Sequence, residues 1–137
     1  MKYWLLKTEP DDWSWKMQIK AGSKGAEWNG VRNFQAAKNL KIMTKGDKCF
    51  FYHTGKIKSI VGVAEVIKEA FLDKSDSSGK FVSIKIKALY PLKNQVGLSE
   101  IKKNKLFRDF YLVKQSRLSV MSVDLKYWKK ICKMGKV

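Results

Sequence analysis

The chain has 137 residues, of which 45% are hydrophobic and 12% aromatic, which is enough for one folded domain with a real core. This composition excludes a disordered chain, although 30% of the residues are charged. The 29 lysines and arginines outnumber 12 acidic residues and give a net charge of +17. We therefore expect an acidic partner, with nucleic acid first and an anionic membrane surface second. Because lysine is spread along the whole chain, a compositional bias explains the charge about equally well.

The first third of the chain predicts one strand, one short helix and a loop. Lys2 to Lys7 is short and rich in aromatic residues, which is typical of a buried strand. Asp11 or Asp12 can cap a short helix over Trp13 to Ile19. The glycine, serine and lysine residues that follow predict a loop that runs to Trp28.

The next segment predicts a capped helix and a central strand. Asn33 can cap a helix over Phe34 to Met43. Its apolar residues form one predicted buried stripe: Phe34, Ala37, Leu40 and Ile42. Cys49 to Thr54 is continuously apolar, so we expect a strand in the middle of a sheet.

The middle of the chain predicts two further strands separated by a polar loop. Ser59 to Ala70 is rich in β-branched residues, and Gly62 within it indicates a bulge or a close backbone approach. Asp73 to Lys80 is a polar loop with little apparent constraint. Val82 to Ala88 alternates apolar and polar residues, as expected for a strand with one wet face, and Pro91 is predicted to end it.

The last third predicts two helices with short extended pieces between them. Leu98 to Lys103 is a short predicted helix, and Leu112–Val113 and Leu118 to Val120 are predicted to be extended. Ser122 can cap a final helix that Gly135 ends. Because strands and helices do not alternate, we predict an α+β fold with a curled, mostly antiparallel sheet and helices around it. Residues 1–137 are predicted to form a single domain, and we expect a monomer.

The two cysteines and the amino-terminal segment indicate the cellular compartment in which we expect the protein. Cys49 and Cys132 lie far apart, and the chain starts without the basic segment, apolar run and cleavage site of a secretory signal. We expect reduced thiols and a cytoplasmic protein, associated with the nucleoid or with RNA if it is bacterial. No apolar run approaches the roughly 20 residues of a membrane-spanning helix, so no partner within a membrane is expected.

Three separated segments combine residues suited to hold a flat, polar ligand. In Trp28 to Asn33, an indole ring, a flexible glycine and a planar guanidinium come together in a predicted loop. Lys7 to Pro10 and Gln115 to Val120 have the same mixed character. We expect these three segments to contribute to one site.

Each of the distinctive residues in these segments also has a structural alternative. Trp28 is expected to stack on a ligand, although tryptophan is usually part of a core. Arginine is scarce beside lysine in this chain, so Arg32 and Arg117 are expected where the guanidinium geometry matters. Their alternative is a structural ion pair with Glu9 or Glu27.

Common catalytic and metal-binding patterns are absent from the sequence. His53 is the one histidine, and inside an apolar strand it is more often structural than catalytic. Cys49 shares its strand face, but zinc needs three or four ligands, so no metal is expected. The chain contains no phosphate-binding glycine loop, dinucleotide motif or nucleophile elbow. We therefore expect a binding module without catalytic residues or a cofactor.

Several motifs taken together resemble the EVE-domain family of the PUA-like superfamily, in the same order and almost from end to end. These motifs are Tyr3 to Pro10, Trp28 to Ala36, Phe51 to Thr54, Ile60 to Val66 and Arg117 to Val120. The resemblance implies a PUA-like fold, in which short helices surround a curled β-barrel, related to the YTH readers of methylated adenine in RNA. It also implies a reader of a modified base, such as 5-methylcytosine or 5-hydroxymethylcytosine in DNA, or of a modified RNA base.

The resemblance also implies which residues form the base pocket. Carried over by motif, they are Lys7, Thr8, Trp28, Asn29, Gly30, Val31, Arg32, Asn33, Tyr52, His53, Arg117, Leu118 and Ser119. Two of them depart from the family pattern. Thr8 replaces the usual serine and adds a methyl group, and Asn29 replaces the usual acidic residue with a group that both donates and accepts hydrogen bonds.

The sequence therefore predicts a reader in which lysines hold phosphates and a pocket selects the base. Substitution of Trp28 by alanine is expected to lower discrimination by about 1–3 kcal/mol with the fold intact. Two other functions remain open at this stage. One is an enzyme acting on a modified nucleobase or nucleotide with His53 as acid or base, and the other is a basic protein that binds a small molecule or associates with RNA.

Overall fold

The computed structural model describes residues 1–137 and contains six strands, five short α-helices and two 3-10 helices, Gly22–Lys24 and Lys105–Phe107. The strands are β1 (Tyr3–Thr8), β2 (Ala26–Trp28), β3 (Lys48–His53), β4 (Ser59–Leu72), β5 (Val82–Gly97) and β6 (Val120–Ser122). The helices are α1 (Trp15–Lys20), α2 (Phe34–Ile42), α3 (Leu98–Lys103), α4 (Tyr111–Lys114) and α5 (Leu125–Met134). None of these helices combines the length and the apolar character needed to cross a bilayer.

The strands form one mixed sheet in the order β2-β5-β4-β3-β1-β6. Only β1 and β3 pair in parallel, because the chain between them crosses over through two helices. The other four pairings are antiparallel, as predicted. The predicted central strand is confirmed, since β3 lies between β1 and β4 and its residues Cys49, Phe50 and Phe51 are fully buried.

A single hydrophobic core joins the sheet to the helices. At one end of β1, Trp128 of α5 stacks on Tyr3 and on Phe50, with ring centroids 4.4 Å and 3.8 Å apart. Near the other end, Trp15 of α1 packs edge-on against Phe51 at 5.1 Å. Phe50 and Phe51 are consecutive in β3 and so point to opposite faces of the sheet, which places α5 on the other face from α1.

Glycine 62 allows α1 to lie close to the sheet. A Cβ atom at Gly62 would clash with the ring of Trp15, so only glycine permits this contact. The predicted bulge at this position is confirmed, because the pairing of β4 with β3 and with β5 shifts register around Gly62, whereas the close neighbour is a side chain and not backbone. The contact fixes the segment between β1 and α1, which forms one wall of the cleft described below.

Of the first two predicted helix starts, the structure changes one and confirms the other. Helix α1 begins after Ser14, whose Oγ accepts a hydrogen bond from the Met17 N–H at 3.1 Å, so Asp11 and Asp12 are not its cap. The predicted cap of α2 is confirmed, because Asn33 Oδ1 accepts from the Ala36 N–H at 2.9 Å.

The buried side of α2 also differs from the prediction. Ala36, Ala37 and Leu40 face the core, whereas Phe34 is 72% exposed and Ile42 is also exposed. The small alanine side chains let α2 lie close to the sheet, and this rotation turns Phe34 outward.

Strands β4 and β5 form a long hairpin that continues past Pro91. Pro91 was predicted to end its strand, but β5 runs from Val82 to Gly97. The partner β2 pairs only with residues Ile84 to Ile86, so Pro91 lies where β5 is an edge strand and a missing N–H breaks no ladder on that side.

The carboxy-terminal third follows the prediction in part. Helix α3 has the predicted bounds, but Leu112–Val113 lies in α4 and is not extended. Ser122 belongs to β6, so α5 begins after Asp124. Short polar and apolar runs of this kind carry no periodicity long enough to separate a helical turn from a strand.

Candidate functional site

An open cleft of about 720 Å³ lies where β1 and β2 end and the chain continues toward α2. Thirteen residues line it: Lys7, Thr8, Glu9, Asp12, Trp13, Ala26, Glu27, Trp28, Asn29, Gly30, Val31, Arg32 and Ser119. All three segments that the sequence singled out contribute to it. Its volume lies within the range usual for pockets that bind small molecules or single groups of larger ligands.

The cleft contains some of the predicted site residues and not others. Those in the cleft are Lys7, Thr8, Trp28, Asn29, Gly30, Val31, Arg32 and Ser119. Those outside its lining are Asn33, Tyr52, His53, Arg117 and Leu118. The prediction also missed five lining residues: Glu9, Asp12, Trp13, Ala26 and Glu27.

Most of the residues outside the cleft have structural positions of their own. Asn33 caps α2, and Leu118 is buried in the core. Arg117 is exposed and takes part in neither of the two ion pairs of the protein. Tyr52 lines a neighbouring groove, where burial raises the pKa of its hydroxyl to about 12.

Trp28 forms part of the cleft surface from within the core. It is the last residue of β2, where it pairs with Ile84, so it does not lie in the predicted loop. Its side chain is only 8% exposed, and its ring stands edge-on to Phe51 with centroids 5.6 Å apart. Trp28 therefore offers a ligand only a small, rigid part of its indole. Most of the side chain packs in the core, so the structural alternative for Trp28 holds for most of the ring, and only its exposed edge can contact a ligand.

Asp73 holds the loop after Trp28 in place. Its Oδ2 accepts hydrogen bonds from the Gly30 N–H at 2.8 Å and from Arg32 at 3.0 Å, and its side chain is fully buried. Oδ1 accepts from the N–H and the hydroxyl of Ser75. The ion-pair alternative for Arg32 is thus correct in kind, but its partner is Asp73 and neither Glu9 nor Glu27.

The carboxylate of Asp73 is strongly stabilised in its ionised form. Burial raises the pKa of Asp73, but the hydrogen bonds from Ser75, the Gly30 N–H and Arg32 outweigh burial and hold the pKa well below its usual range. Arg32 is 40% exposed on its side chain and also lies over the ring of Phe81 at 5.2 Å. The loop from Gly30 to Arg32 is therefore held by hydrogen bonds to Asp73. The segment Asp73 to Lys80, which was predicted to carry little constraint, thus has a structural role.

The opposite wall is a tight turn that carries Trp13. Thr8 Oγ1 donates to the Trp13 carbonyl oxygen at 2.9 Å, and the Glu9 carbonyl oxygen accepts from the Trp13 N–H at 3.0 Å. The Trp13 indole N–H donates to Gln18 Oε1 at 2.8 Å, and Gln18 in turn donates to the Ile86 carbonyl oxygen. Trp13 is half-buried and rigid, which gives the cleft a second indole surface.

Lys7 joins the carboxy-terminal segment to this wall. Its backbone N–H donates to the Ser119 carbonyl oxygen at 2.9 Å, and its ammonium group donates to the Ser116 carbonyl oxygen at 2.9 Å. Burial lowers the pKa of the Lys7 ammonium. The cation is therefore held at the edge of the cleft at a defined point.

The charges in the cleft are mixed. Three acidic residues, Glu9, Asp12 and Glu27, face two basic ones, Lys7 and Arg32, and Arg32 is already paired with Asp73. No group of three or more histidine, cysteine or acidic residues in the protein could hold a metal ion. A cleft of this kind suits a neutral, polar, flat group better than a phosphate.

His53 is tied to the backbone of α1. Its Nε2 accepts a hydrogen bond from the Trp15 N–H at 3.1 Å, and the residue is 8% exposed. Burial lowers the pKa of His53, and the charge of Glu9 raises it less. The neutral imidazole is therefore the form that the fold stabilises, and its accepting nitrogen is already in use.

This environment predicts a specific dependence of stability on pH. The folded pKa of His53 lies below the unfolded value of 6.5, so the unfolded chain takes up the proton first as the pH falls. Its stabilising contribution is full above pH 6.5 and is lost below it. Urea unfolding of the wild-type protein and of His53→Gln at several pH values should show a difference that is constant above pH 7 and shifts against the wild type below pH 6.5. A shift in favour of the wild type would contradict this account of His53.

Comparison with known proteins gives a family model and several relatives. The EVE domain model matches residues 2–134. Chicken thymocyte nuclear protein 1 is 30% identical over 150 aligned residues, which cover 86% of this chain and 62% of the chicken protein. The mouse protein of the same name is 41% identical over 81 residues, 52% of this chain and 36% of its own length. The chain thus spans less than two thirds of these curated relatives.

Solved structures share the fold over nearly the whole chain. The NMR structure of a Rhodopseudomonas palustris protein is 47% identical with a TM-score of 0.94, covering 99% of this chain and 94% of that one. Human THYN1 protein, in complex with 5-methylcytosine containing DNA, is 24% identical with a TM-score of 0.91, over 100% of this chain and 99% of that one.

A YTH domain shows the same likeness at a greater distance. The YTH domain of Zygosaccharomyces rouxii MRB1 protein, in complex with N6-methyladenosine RNA, has 18% identity and a TM-score of 0.60, with 99% and 85% of the two chains covered. These likenesses confirm the predicted α+β, PUA-like fold, in which short helices pack around a curled sheet. With the family model matching almost every residue, the chain belongs to the EVE-domain family.

Proposed function

We propose that this protein is a non-catalytic reader that binds nucleic acid and receives one modified base in the cleft between Trp13 and Trp28. The observation that carries the proposal is a rigid, nearly charge-balanced cleft with two indole surfaces on a protein of net charge +17. The cleft offers apolar surface and hydrogen-bonding groups for a base, while the surrounding positive field attracts the phosphates.

The rigidity of the cleft supports recognition of a base without further ordering of the protein. Asp73 holds the Gly30 to Arg32 segment, and Gln18 holds Trp13, so both walls are fixed before a ligand arrives. A binding site ordered in advance loses less entropy on association. A base that enters this cleft leaves its stack, as in other proteins that take up a single flipped or unpaired base.

Exposed groups at the rim supply the choice among bases. Asn29 is exposed and makes no hydrogen bond to another residue, so its amide can donate to and accept from a base edge. The Thr8 hydroxyl is engaged with the Trp13 carbonyl oxygen, which leaves its methyl group to shape the wall. We infer that Asn29 reads polar atoms and that Thr8 limits the size of the base.

The relatives support a modified base as the ligand class. Human THYN1 protein was solved with 5-methylcytosine containing DNA, and the YTH domain with N6-methyladenosine RNA. We propose a ligand of the same class, a base of the 5-methylcytosine or 5-hydroxymethylcytosine type in DNA or a modified base in RNA.

The position of His53 supports binding over catalysis. A general acid or base must reach the reacting atom, and His53 lies outside the cleft lining with Nε2 bonded to the Trp15 N–H. Among the other ionisable groups of the cleft, Glu9 and Lys7 are held by hydrogen bonds to neighbouring residues. We therefore propose that the protein reads the base and leaves it unchanged.

A binding panel tests the proposed function. The pure protein is titrated at physiological salt with matched oligonucleotides that carry cytosine, 5-methylcytosine, 5-hydroxymethylcytosine, adenine or N6-methyladenine, in DNA and in RNA. We expect one modified base to bind about tenfold or more tightly than its plain counterpart, the worth of one good hydrogen-bonded base contact.

Two matched amide variants assign the preference to the cleft. Asn29→Ala should reduce the preference, and Gln95→Ala, which removes an exposed amide from β5 outside the cleft, should leave it unchanged. Equal affinity of the wild-type protein for every modified and plain oligonucleotide would contradict the proposal. Uniform binding that vanishes with salt would indicate a basic protein without a base-reading function.

A further inference from the structure

Two adjoining grooves lie beside the cleft, at the carboxyl end of β3. The first has a volume of about 270 Å³ and the second about 390 Å³, and they share Lys58, Leu98 and Lys102. We refer to the two together as the basic groove. Its lysines are Lys7, Lys56, Lys58 and Lys102.

The basic groove differs from the cleft in the sign of its charges. Four lysines and no acidic residue line it, whereas the cleft contains three acidic residues. Because lysine is common over the whole surface, the number of lysines alone does not identify the groove as a binding site. The exclusion of acidic residues from a continuous concave surface does distinguish the groove.

Two acidic residues close to the groove form hydrogen bonds within the protein. Glu100 of α3 accepts from the Gly97 N–H at 3.4 Å, and Glu9 accepts from the Thr54 hydroxyl at 3.4 Å, next to Gly55 at the border between cleft and groove. Hydroxyl groups complete the lining, from Tyr52, Thr54, Ser59, Ser99 and Ser116. Lysines and hydroxyl groups on a concave surface are the partners that phosphate oxygens use on proteins.

Lys7 belongs to both the cleft and the groove. Its ammonium group is held by the Ser116 carbonyl oxygen and lies 5.8 Å from the centre of the Tyr52 ring. The two surfaces are therefore continuous, with a fixed cation at their junction. A chain with a base in the cleft has its adjacent backbone at this junction.

The backbone at Lys58 is held in an unusual conformation. Lys58 has φ +46°, in the left-handed region that residues other than glycine rarely adopt. Its carbonyl oxygen accepts from the Leu98 N–H at 2.8 Å, which joins the turn before β4 to the start of α3. This bond places Lys58 and Lys102 on the same groove, and strained backbone of this kind persists where the surrounding structure fixes it.

We propose that the basic groove binds the phosphate backbone of the same nucleic-acid strand whose base occupies the cleft, so that the strand runs from the cleft past Lys7 toward Lys58 and Lys102. This inference rests on the proposed function and adds the path and direction of the ligand. It assigns affinity to the groove and selectivity to the cleft. The groove lysines touch only phosphates, so they do not distinguish one base from another.

Two matched triple variants test the groove. The groove variant carries Lys56→Ala, Lys58→Asn and Lys102→Ala, where asparagine suits the left-handed backbone of Lys58. The control variant carries Lys129→Ala, Lys133→Ala and Lys136→Asn on and after α5, which packs on the opposite face of the sheet from α1. Lys136 also has a positive φ, +59°, so the two variants match in charge and in backbone conformation. None of the three control lysines lines the cleft or the groove.

The measurement is the affinity for single-stranded oligonucleotides with the modified and with the plain base, at salt concentrations from about 50 to 200 mM. For the groove variant we expect the slope of log affinity against log salt to fall by about 2, or about 0.7 for each of three lost phosphate contacts. The ratio of the affinities for modified and plain base should stay at its wild-type value. The control variant should change the slope much less.

The outcomes separate this inference from the proposed function. Equal slope changes in the two triple variants would overturn the groove, even if the wild type prefers a modified base. A selective slope change without any base preference would support the groove and overturn the reader function. A groove variant that loses base preference and keeps its salt slope would also overturn the inference, and so would failure of the wild-type protein to bind any oligonucleotide.

Discussion

Substitution of Trp28 by alanine is expected to lower the free energy of unfolding by about 3–5 kcal/mol, the usual cost of removing a large buried aromatic side chain. Trp28 is only 8% exposed, and its ring packs edge-on against Phe51. Urea unfolding at neutral pH measures this loss. The sequence had predicted an intact fold for this variant, and the burial of Trp28 overturns the basis of that prediction.

A conservative substitution separates the structural contribution of Trp28 from its contribution to binding. Trp28→Phe keeps most of the contact with Phe51 and should cost clearly less stability than alanine. We expect it to weaken binding of the modified base while the fold remains. If Trp28→Ala changes the free energy of unfolding by less than about 1 kcal/mol, the packing described for β2 is wrong.

Substitution of Asp73 by alanine is expected to cost about 2–4 kcal/mol, because two cleft residues and Ser75 lose hydrogen bonds to a buried carboxylate. The Gly30 N–H and Arg32 would lose their fixed partner, so affinity for the base should fall together with stability. Urea unfolding and oligonucleotide binding of the same variant measure the two effects.

The pH dependence of the Asp73 contribution follows from its pKa. The folded pKa of Asp73 lies below the unfolded value of 3.8, so the ionised carboxylate stabilises the fold fully above pH 3.8. This contribution is lost as the pH falls from 3.8 toward the folded pKa. The stability difference between the wild type and Asp73→Ala should therefore shrink in that acid range and stay constant above about pH 5.

The neighbouring residue Asp76 provides a control in the same loop. It makes the same kind of local bonds, to the N–H and hydroxyl of Ser78, but it has no bond to the cleft. Asp76→Ala should affect stability less than Asp73→Ala and leave binding unchanged. Equal effects of the two substitutions on binding would show that Asp73 does not act through Gly30 and Arg32.

The elements with strong local signals were predicted well from the sequence. The continuous apolar run gave the position of β3, and Asn33 gave the start of α2. Gly62 was correctly identified as the position of a bulge, because a glycine inside a β-branched run has few other reasons to occur. These features depend on residues close together in the chain, where periodicity and caps act.

Several features failed because distant residues decide them. Trp28 was predicted to lie in a loop, but a pairing with β5 draws it into the sheet. Asp73 was overlooked because its partners Gly30 and Arg32 lie more than forty positions earlier in the chain. A local signal was present, since Asp73-Lys74-Ser75 and Asp76-Ser77-Ser78 repeat the Asp-x-Ser pattern of a side-chain turn.

Part of the cleft was predicted from the sequence and part was missed. Lys7, Thr8, the segment from Trp28 to Arg32, and Ser119 come together in one cleft, although their role in binding a base stays a prediction. Trp13 was predicted to begin a short helix, whereas hydrogen bonds to Thr8, Glu9 and Gln18 hold it in the cleft wall. Its exposure depends on the tight turn after Glu9, for which the sequence offers no periodic signal.

The most direct test of the base-binding cleft is NMR titration of the isotopically labelled protein with a short oligonucleotide that carries the preferred modified base, compared with the plain oligonucleotide at the same salt. The indole N–H signals of Trp13 and Trp28 and the amide signals of Asn29 to Arg32 should shift with the modified base and change little with the plain one. Signals of Lys58 and Lys102 should shift with both. Shifts of the groove signals alone, with the indole and loop signals unmoved by every modified base, would contradict the account.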